Sequence, residues 1–404
     1  MKTIKGIFWM AALRLFIRVI SVLKIAILAR LLNPLQFGLF GIASVSLAFT
    51  EILTETGVNA LLIQKKRISQ LFFNSSWVIL LTRGFLIFLI LLIASSPVSY
   101  FFRSPESYKV LLLMSFVPLL RGFVNPAIIF FQKKLLFYKE FIFWFVVNAL
   151  EALTSIIIVF ITRSVYGLIW GLIVSSIFEI VASWLFVKPR PNFKIKFNNI
   201  KSIVRRGKYI TLSSIFNYLF HNLDDIIVGR VLGLNYLGLY QVVYKIAILP
   251  ITESGEIVSK VVFPVYTRLF GERFRLKKAF LKVLIFLSLI IIPVTIFIVL
   301  FADEFIMLFL GRNWLEAVPT LRVLMLFGAV RAISGSSSAL FLAVRRQEYI
   351  TIVNLVSLIA VVILIYPLVI KFNIIGAAYS VLIASLLSIP FMFAFSKKIL
   401  NEKS

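Results

Sequence analysis

Apolar residues along this chain come in long runs separated by short polar interruptions, from near the first residue to near the last. Each run reaches the roughly 20 residues that a helix needs to cross a bilayer's hydrocarbon core. The pattern predicts an all-α membrane protein of about twelve transmembrane helices, at 7–31, 36–63, 74–97, 108–131, 140–162, 165–187, 207–232, 236–264, 280–301, 317–343, 349–370 and 374–396. Most connections are short, so consecutive helices are expected to be antiparallel neighbours. The exception is KPRPNFKIKFNNIKSIVRRGK, residues 188–208, which is polar, basic and carries two prolines. It reads as a cytoplasmic linker between an N-terminal six-helix bundle (1–187) and a C-terminal one (209–404).

The two halves echo each other. RLLNPLQFGLF at 30–40 aligns without a gap to RVLGLNYLGLY at 230–240, matching Arg30 with Arg230, Leu32 with Leu232, Gly38 with Gly238 and Phe40 with Tyr240. A second echo pairs SVYGLIWG (164–171) with NIIGAAYS (373–380). Both fall at corresponding turns of their halves, as a duplicated bundle requires. An even number of helices per repeat makes the repeats parallel, an arrangement that transporters use with the substrate site between the halves.

Composition supports the membrane reading: of 404 residues 61% are hydrophobic and 15% charged, against about 25% charged in soluble domains. The net charge of +27 is distributed by side. With both termini cytoplasmic, the inside segments hold 27 of the Lys and Arg residues, the outside loops 5 and the helices 11. That is the positive-inside pattern, and basic groups spread over many loops suit anionic lipid rather than a nucleic-acid groove. No small-residue cleavage site follows the basic start, and arginines interrupt the first apolar run, so the first helix is expected to be retained. Cysteine is absent, which excludes disulfides and thiol metal sites.

An ionisable side chain at mid-bilayer costs at least about 2.5–3.5 kcal/mol on insertion scales and normally faces protein or water. The basic ones are Arg14, Arg18, Lys24, Arg30, Arg83, Arg121, Arg230, Lys245, Lys260, Arg322 and Arg331. The acidic ones are Glu51, Glu55, Glu151, Glu179, Asp224, Asp225, Glu253 and Glu256. On the first helix Arg14, Arg18, Ser21 and Lys24 share an arc of about 120°, at 100° per residue, opposite Phe16, Val19 and Leu23. A complementary stripe runs from Ser44 through Glu51, Thr54 and Glu55 to Asn59, and another holds Asn217, His221, Asp224 and Asp225. Two readings follow. Arg14 and Arg18 pair with Glu51 and Glu55 as buried structure, or the basic excess lines a wet cavity that receives an anion, for which arginine's bidentate fork suits phosphate. His221, the only histidine, is expected to pack through a hydrogen bond; Asp224 and Asp225 either bind a coupling Na⁺ or H⁺ or pair with Arg230 or Lys245. No catalytic motif, nucleotide loop or cofactor-binding pattern is present, so neither an enzyme nor an ATP-driven pump is expected.

The blocks AILARLLNPLQFGLFGIASVSLAFTEILTETGVNALLIQKK (26–66) and NLDDIIVGRVLGLNYLGLYQVVYKIAILP, followed by VVFPVYTRL, resemble bacterial polysaccharide exporters, the Wzx-type flippases of the multidrug/oligosaccharidyl-lipid/polysaccharide exporter superfamily. The resemblance implies a two-bundle, V-shaped, MATE-like transporter in the bacterial inner membrane. It would carry an undecaprenyl-diphosphate-linked oligosaccharide to the outer leaflet by alternating access, beside membrane lipids and a polysaccharide polymerase complex. In that reading Arg14, Arg18 and Lys24 bind the diphosphate, while Glu51, Glu55, Asp224 and Asp225 balance charge or bind the coupling ion. The alternatives are a multidrug exporter, a lipid II flippase and a non-transporting scaffold of a synthesis complex.

Overall fold

A computed structural model describes residues 2–201, 203, 218 and 222–401. Asn217 and His221, and the side chains of Glu253, Glu256 and Lys260, lie outside the described residues, as does most of the helix expected over 207–232. Every regular element among the described residues is a helix, with no strand. They fall into two compact units, Met1–Leu223 and Asp224–Ser404.

In the first unit the long helices are α1 (Lys2–Leu31), α2 (Pro34–Leu53), α3 (Gln70–Phe101), α4 (Pro105–Gly122), α5 (Phe137–Thr162) and α6 (Tyr166–Phe186). Local chemistry sets several boundaries. Asn33 caps α2 by accepting from Gln36 N at 2.9 Å while Gln36 Oε1 accepts from Asn33 N at 3.1 Å. This capping box, with Pro34 at the first helical position, satisfies the free amides that a helix start exposes. The helix expected over 108–131 is broken twice. Ser115 interrupts α4 three residues before Pro118, whose ring removes a backbone donor. After Gly122 the chain bends by 65° into Pro126–Lys133, where Asn125 caps the new start by accepting from Ala127 N at 3.0 Å.

Helix α1 lies along α5, which pairs with α6, while α3 lies against α4. Close approaches depend on glycine. A Cβ on Gly84 would sit 2.5 Å from the Pro118 carbonyl oxygen, and one on Gly171 would sit 1.9 Å from Ser155 Oγ, so small residues let these backbones meet. The basic stretch after α6 is not a free tether in its first part. Gln70 donates to the Arg190 carbonyl at 3.1 Å, Asn74 to the Lys194 carbonyl at 2.9 Å, and Lys196 N donates to Ser75 Oγ at 3.3 Å. Ile200 and Ile203 pack into the hydrophobic cluster around Phe73.

The second unit contains α7 (Leu234–Ala247), a continuation Leu249–Ile257, then α8 (Arg273–Leu300), α9 (Val318–Ala343) and α10 (Gln347–Asn401). A π-helical turn, Val258–Val262, precedes Pro264. Helix α8 starts earlier than the apolar run because RFRLKK continues the helix beyond it. Helix α10 is two helices joined at Asn373, whose φ of 53° and ψ of −139° are non-helical. The break sits in the second repeat echo and matches the expected boundary between 349–370 and 374–396. Gly376, like Gly167 in the first echo, meets the end of the preceding helix, since its Cβ would stand 1.9 Å from the Leu368 carbonyl.

Among the described residues eight helices are long and apolar enough to cross a membrane, the double helix α10 counted once, and the bent pair after Pro105 adds a ninth candidate. Helix α1 has the length, with Arg14, Arg18 and Lys24 along its middle. Large apolar side chains such as Ile93, Leu289 and Ile363 are exposed on the units' outer surfaces, as lipid contact requires. Buried polar groups are largely serines that return their hydroxyl to a carbonyl one turn back, as Ser75, Ser76 and Ser380 do. Such internal pairing is how a helix carries a hydroxyl in hydrocarbon.

Candidate functional site

The first unit carries an open cavity of about 500 Å³ whose charged lining among the described residues is Lys24, Arg83 and Arg121 with Glu51, Glu151 and Glu179. Each comes from a different helix, α1 to α6. Helical geometry explains why Lys24 reaches it and its stripe partners do not. Lys24 shares the packed side of α1 with the buried Leu13 and Leu28, whereas Arg14 is exposed and Arg18 half-buried on the flank of the stripe. Neither arginine lines the cavity.

Lys24 Nζ donates to both carboxylate oxygens of Glu151, at 2.8 and 2.9 Å, and Ser155 Oγ donates to Glu151 Oε1 at 3.3 Å. Arg83 donates from Nη2 to the Glu51 carbonyl at 2.6 Å and to Glu55 Oε2 at 3.3 Å, and from Nε to Thr54 Oγ1 at 3.2 Å. It thereby covers the C-terminal end of α2, where a cation meets the negative pole of the helix dipole. Arg121 stands at the bend of α4 with Nη1 3.9 Å from Glu51 Oε1. Glu179 on α6 is 9% exposed.

These contacts add partners that the pairing read from the sequence did not name. Glu51 lies beside Arg121, and Glu55 beside Arg83. Among the described residues three cations face three carboxylates around the cavity, a balanced set where the spans as a whole carry a basic excess. Sequence reasoning counted Arg83, Arg121, Glu151 and Glu179 among the membrane charges but gave them no role. One signal was available: Arg-Gly-Phe occurs at 83–85 and again at 121–123. In each copy the glycine permits the α3–α4 contact, Gly84 against Pro118 and Gly122 against Leu80 and Leu81, and the arginine beside it turns into the cavity.

The cavity's neutral wall offers Asn59, Asn148, Ser175 and Trp144. Its geometry suits an anionic group that displaces a carboxylate from a cation, flanked by amides and an indole that can meet sugar hydroxyls.

In the second unit, Asp224 is buried and accepts from Tyr240 Oη at 2.7 Å and from Asp225 N at 3.1 Å. Tyr240, the last residue of the second repeat block, is thus a partner of Asp224 that the sequence reading did not name. Asp225 is half-buried. Among the described residues no cluster of three metal-ligating side chains occurs.

Comparison with known proteins places these features in context. Residues 27–319 match the family described as "Polysaccharide biosynthesis protein". The chain is 29% identical to an "Uncharacterized membrane protein in cps region" of Klebsiella pneumoniae, over 98% of this chain and 83% of that one. It is 25% identical to the lipopolysaccharide biosynthesis protein WzxC of Escherichia coli K12, over 86% and 71% of the two chains. It is 23% identical to the teichuronic acid biosynthesis protein TuaB of Bacillus subtilis, over 85% and 71%. Among solved structures, the lipid II flippase MurJ in an inward closed conformation aligns with a TM-score of 0.74 at 15% identity, over 97% and 87% of the chains. An inward-facing MATE multidrug transporter aligns with a TM-score of 0.70 at 18% identity, over 95% and 94%. At these identities the structural matches establish the fold alone, an all-α fold shared with those two proteins.

Proposed function

We infer the function from one premise: the chain belongs to the polysaccharide biosynthesis protein family. It is a multi-pass membrane transporter that moves a lipid-linked oligosaccharide across the membrane, a surface-polysaccharide repeat unit on an undecaprenyl diphosphate carrier. The membrane is the cytoplasmic membrane of a bacterium and both termini are cytoplasmic, a sidedness supported by the 27-to-5 distribution of basic residues between the two faces. The motion is alternating access, coupled to Na⁺ or H⁺ and needing no cofactor. A polysaccharide polymerase complex is the natural recipient of the product.

The observation that carries the site assignment is the cationic stripe of α1 ending at the Lys24–Glu151 pair inside a charged cavity. A diphosphate cannot enter hydrocarbon without replacement of its water, because an unpaired buried charge costs many kcal/mol. Arg14 and Arg18 receive the diphosphate, and Lys24 then binds it in place of Glu151. Arg83 and Arg121 complete the cationic lining of the cavity. Glu51, Glu55, Asp224 and Asp225 balance charge or take the coupling cation.

Flipping in proteoliposomes tests the reading. The protein should move a fluorescent undecaprenyl-diphosphate oligosaccharide between leaflets. Arg14→Ala with Arg18→Ala should slow that movement at least tenfold without changing protein recovery. Efflux of organic cations with no flipping would favour a multidrug exporter, and no transport of either kind would favour a scaffold.

A further inference from the structure

The second unit carries a groove of about 570 Å³, walled by α8, α9 and the end of α10. Its sides are apolar, with Phe280, Leu284, Ile333 and Met392 among them, and the flanking Leu281 and Phe393 are 46% and 69% exposed. Two lysines, Lys277 and Lys397, line one end, and among the described lining residues none is acidic. Arg273 Nη1 donates to the Ile399 carbonyl at 2.6 Å, tying the start of α8 to the end of α10 and fixing the lysine end.

One polar group in the wall lacks a partner. Ser396 is 4% exposed, lines the groove, and its Oγ makes no hydrogen bond. Most buried serines among the described residues return their hydroxyl to their own helix, whereas the Ser396 hydroxyl beside the groove has no acceptor, which a group from outside the chain would supply. Ser396 adjoins Lys397, so that acceptor lies at the depth just below whatever anion the lysines meet. Basic pockets between membrane helices on the cytoplasmic side are suited to anionic headgroups.

We propose that this groove is a binding site for an anionic glycerophospholipid, with its phosphate at Lys277 and Lys397, an ester carbonyl at Ser396 and its acyl chains along the apolar walls. The ester carbonyl distinguishes this occupant from a polyprenyl carrier, whose chain offers no acceptor at that depth. The leaflet, cytoplasmic, rests on the sidedness proposed above; the site itself does not.

Native mass spectrometry of the protein released from vesicles of equal phosphatidylglycerol and phosphatidylethanolamine tests it, and needs no transport. Phosphatidylglycerol should be retained at least fivefold over phosphatidylethanolamine. Lys277→Ala with Lys397→Ala should remove that preference, Lys277→Arg with Lys397→Arg should keep it, and Arg345→Ala with Arg346→Ala, basic residues outside the groove, should leave it intact. Ser334→Trp, which fills the groove, should reduce retention of both lipids. Retention indifferent to headgroup, unchanged by the alanine pair or by Ser334→Trp, or lost equally in the Arg345/Arg346 variant, would overturn the assignment.

Discussion

At the scale of single residues, Lys24 and Glu151 share their charge. Their side chains are 22% and 14% exposed and doubly hydrogen-bonded. Removing one partner strands the other. Lys24→Met should cost about 1–3 kcal/mol of stability, below the range for fully buried pairs because both groups keep some access to water. Adding Glu151→Gln to that variant should restore much of the loss. Thermal unfolding in detergent across the four proteins of the cycle would measure the coupling, expected at about 1 kcal/mol or more. The stripe of Arg14, Arg18, Ser21 and Lys24 was legible because a helix repeats every 3.6 residues. The partners were not, because nothing local in the sequence brings Glu151 to Lys24 across 127 positions.

At the scale of elements, glycine decides which helices meet. Gly84→Ala places a methyl 2.5 Å from the Pro118 carbonyl oxygen. Backbone cannot yield as a side chain can, so α3 and α4 must separate, at about 1–3 kcal/mol. Gly335 in α9 is the contrast: nothing lies within 4 Å of its Cβ position, and Gly335→Ala should raise stability by up to about 1 kcal/mol through helix propensity alone. Melting temperatures of the two variants should therefore move in opposite directions. Helix existence was readable from apolar run length, and the α2 start from Asn33, Pro34 and Gln36. The break at 122–126 was harder to see: the apolar pattern runs through it, and only Pro126 with the capping Asn125 marks it. The paired Arg-Gly-Phe triplets show what pattern reading missed, a charge whose direction is fixed by the small residue beside it.

At the scale of the whole molecule, the second repeat echo has a physical counterpart in the structure. Gly167 and Gly376 make the same close approach to the preceding helix in their respective halves, and Arg163 and Asn373 turn the chain there with φ of 50° and 53°. The absence of cysteine makes the sidedness directly testable. In intact cells a membrane-impermeant maleimide should label Arg163→Cys, while Lys194→Cys should react only after permeabilisation; the reverse pattern would invert the topology.

We propose that substrate diphosphate and Glu151 compete for Lys24. Affinity of the purified protein for undecaprenyl-diphosphate oligosaccharide, measured on Glu151→Gln and Lys24→Gln, tests it by sign. Freeing Lys24 with Glu151→Gln should tighten binding several-fold, and Lys24→Gln should weaken it about tenfold, the worth of one charge-assisted contact of about 1.4 kcal/mol. Equal weakening by both substitutions would make the pair structural and contradict the account.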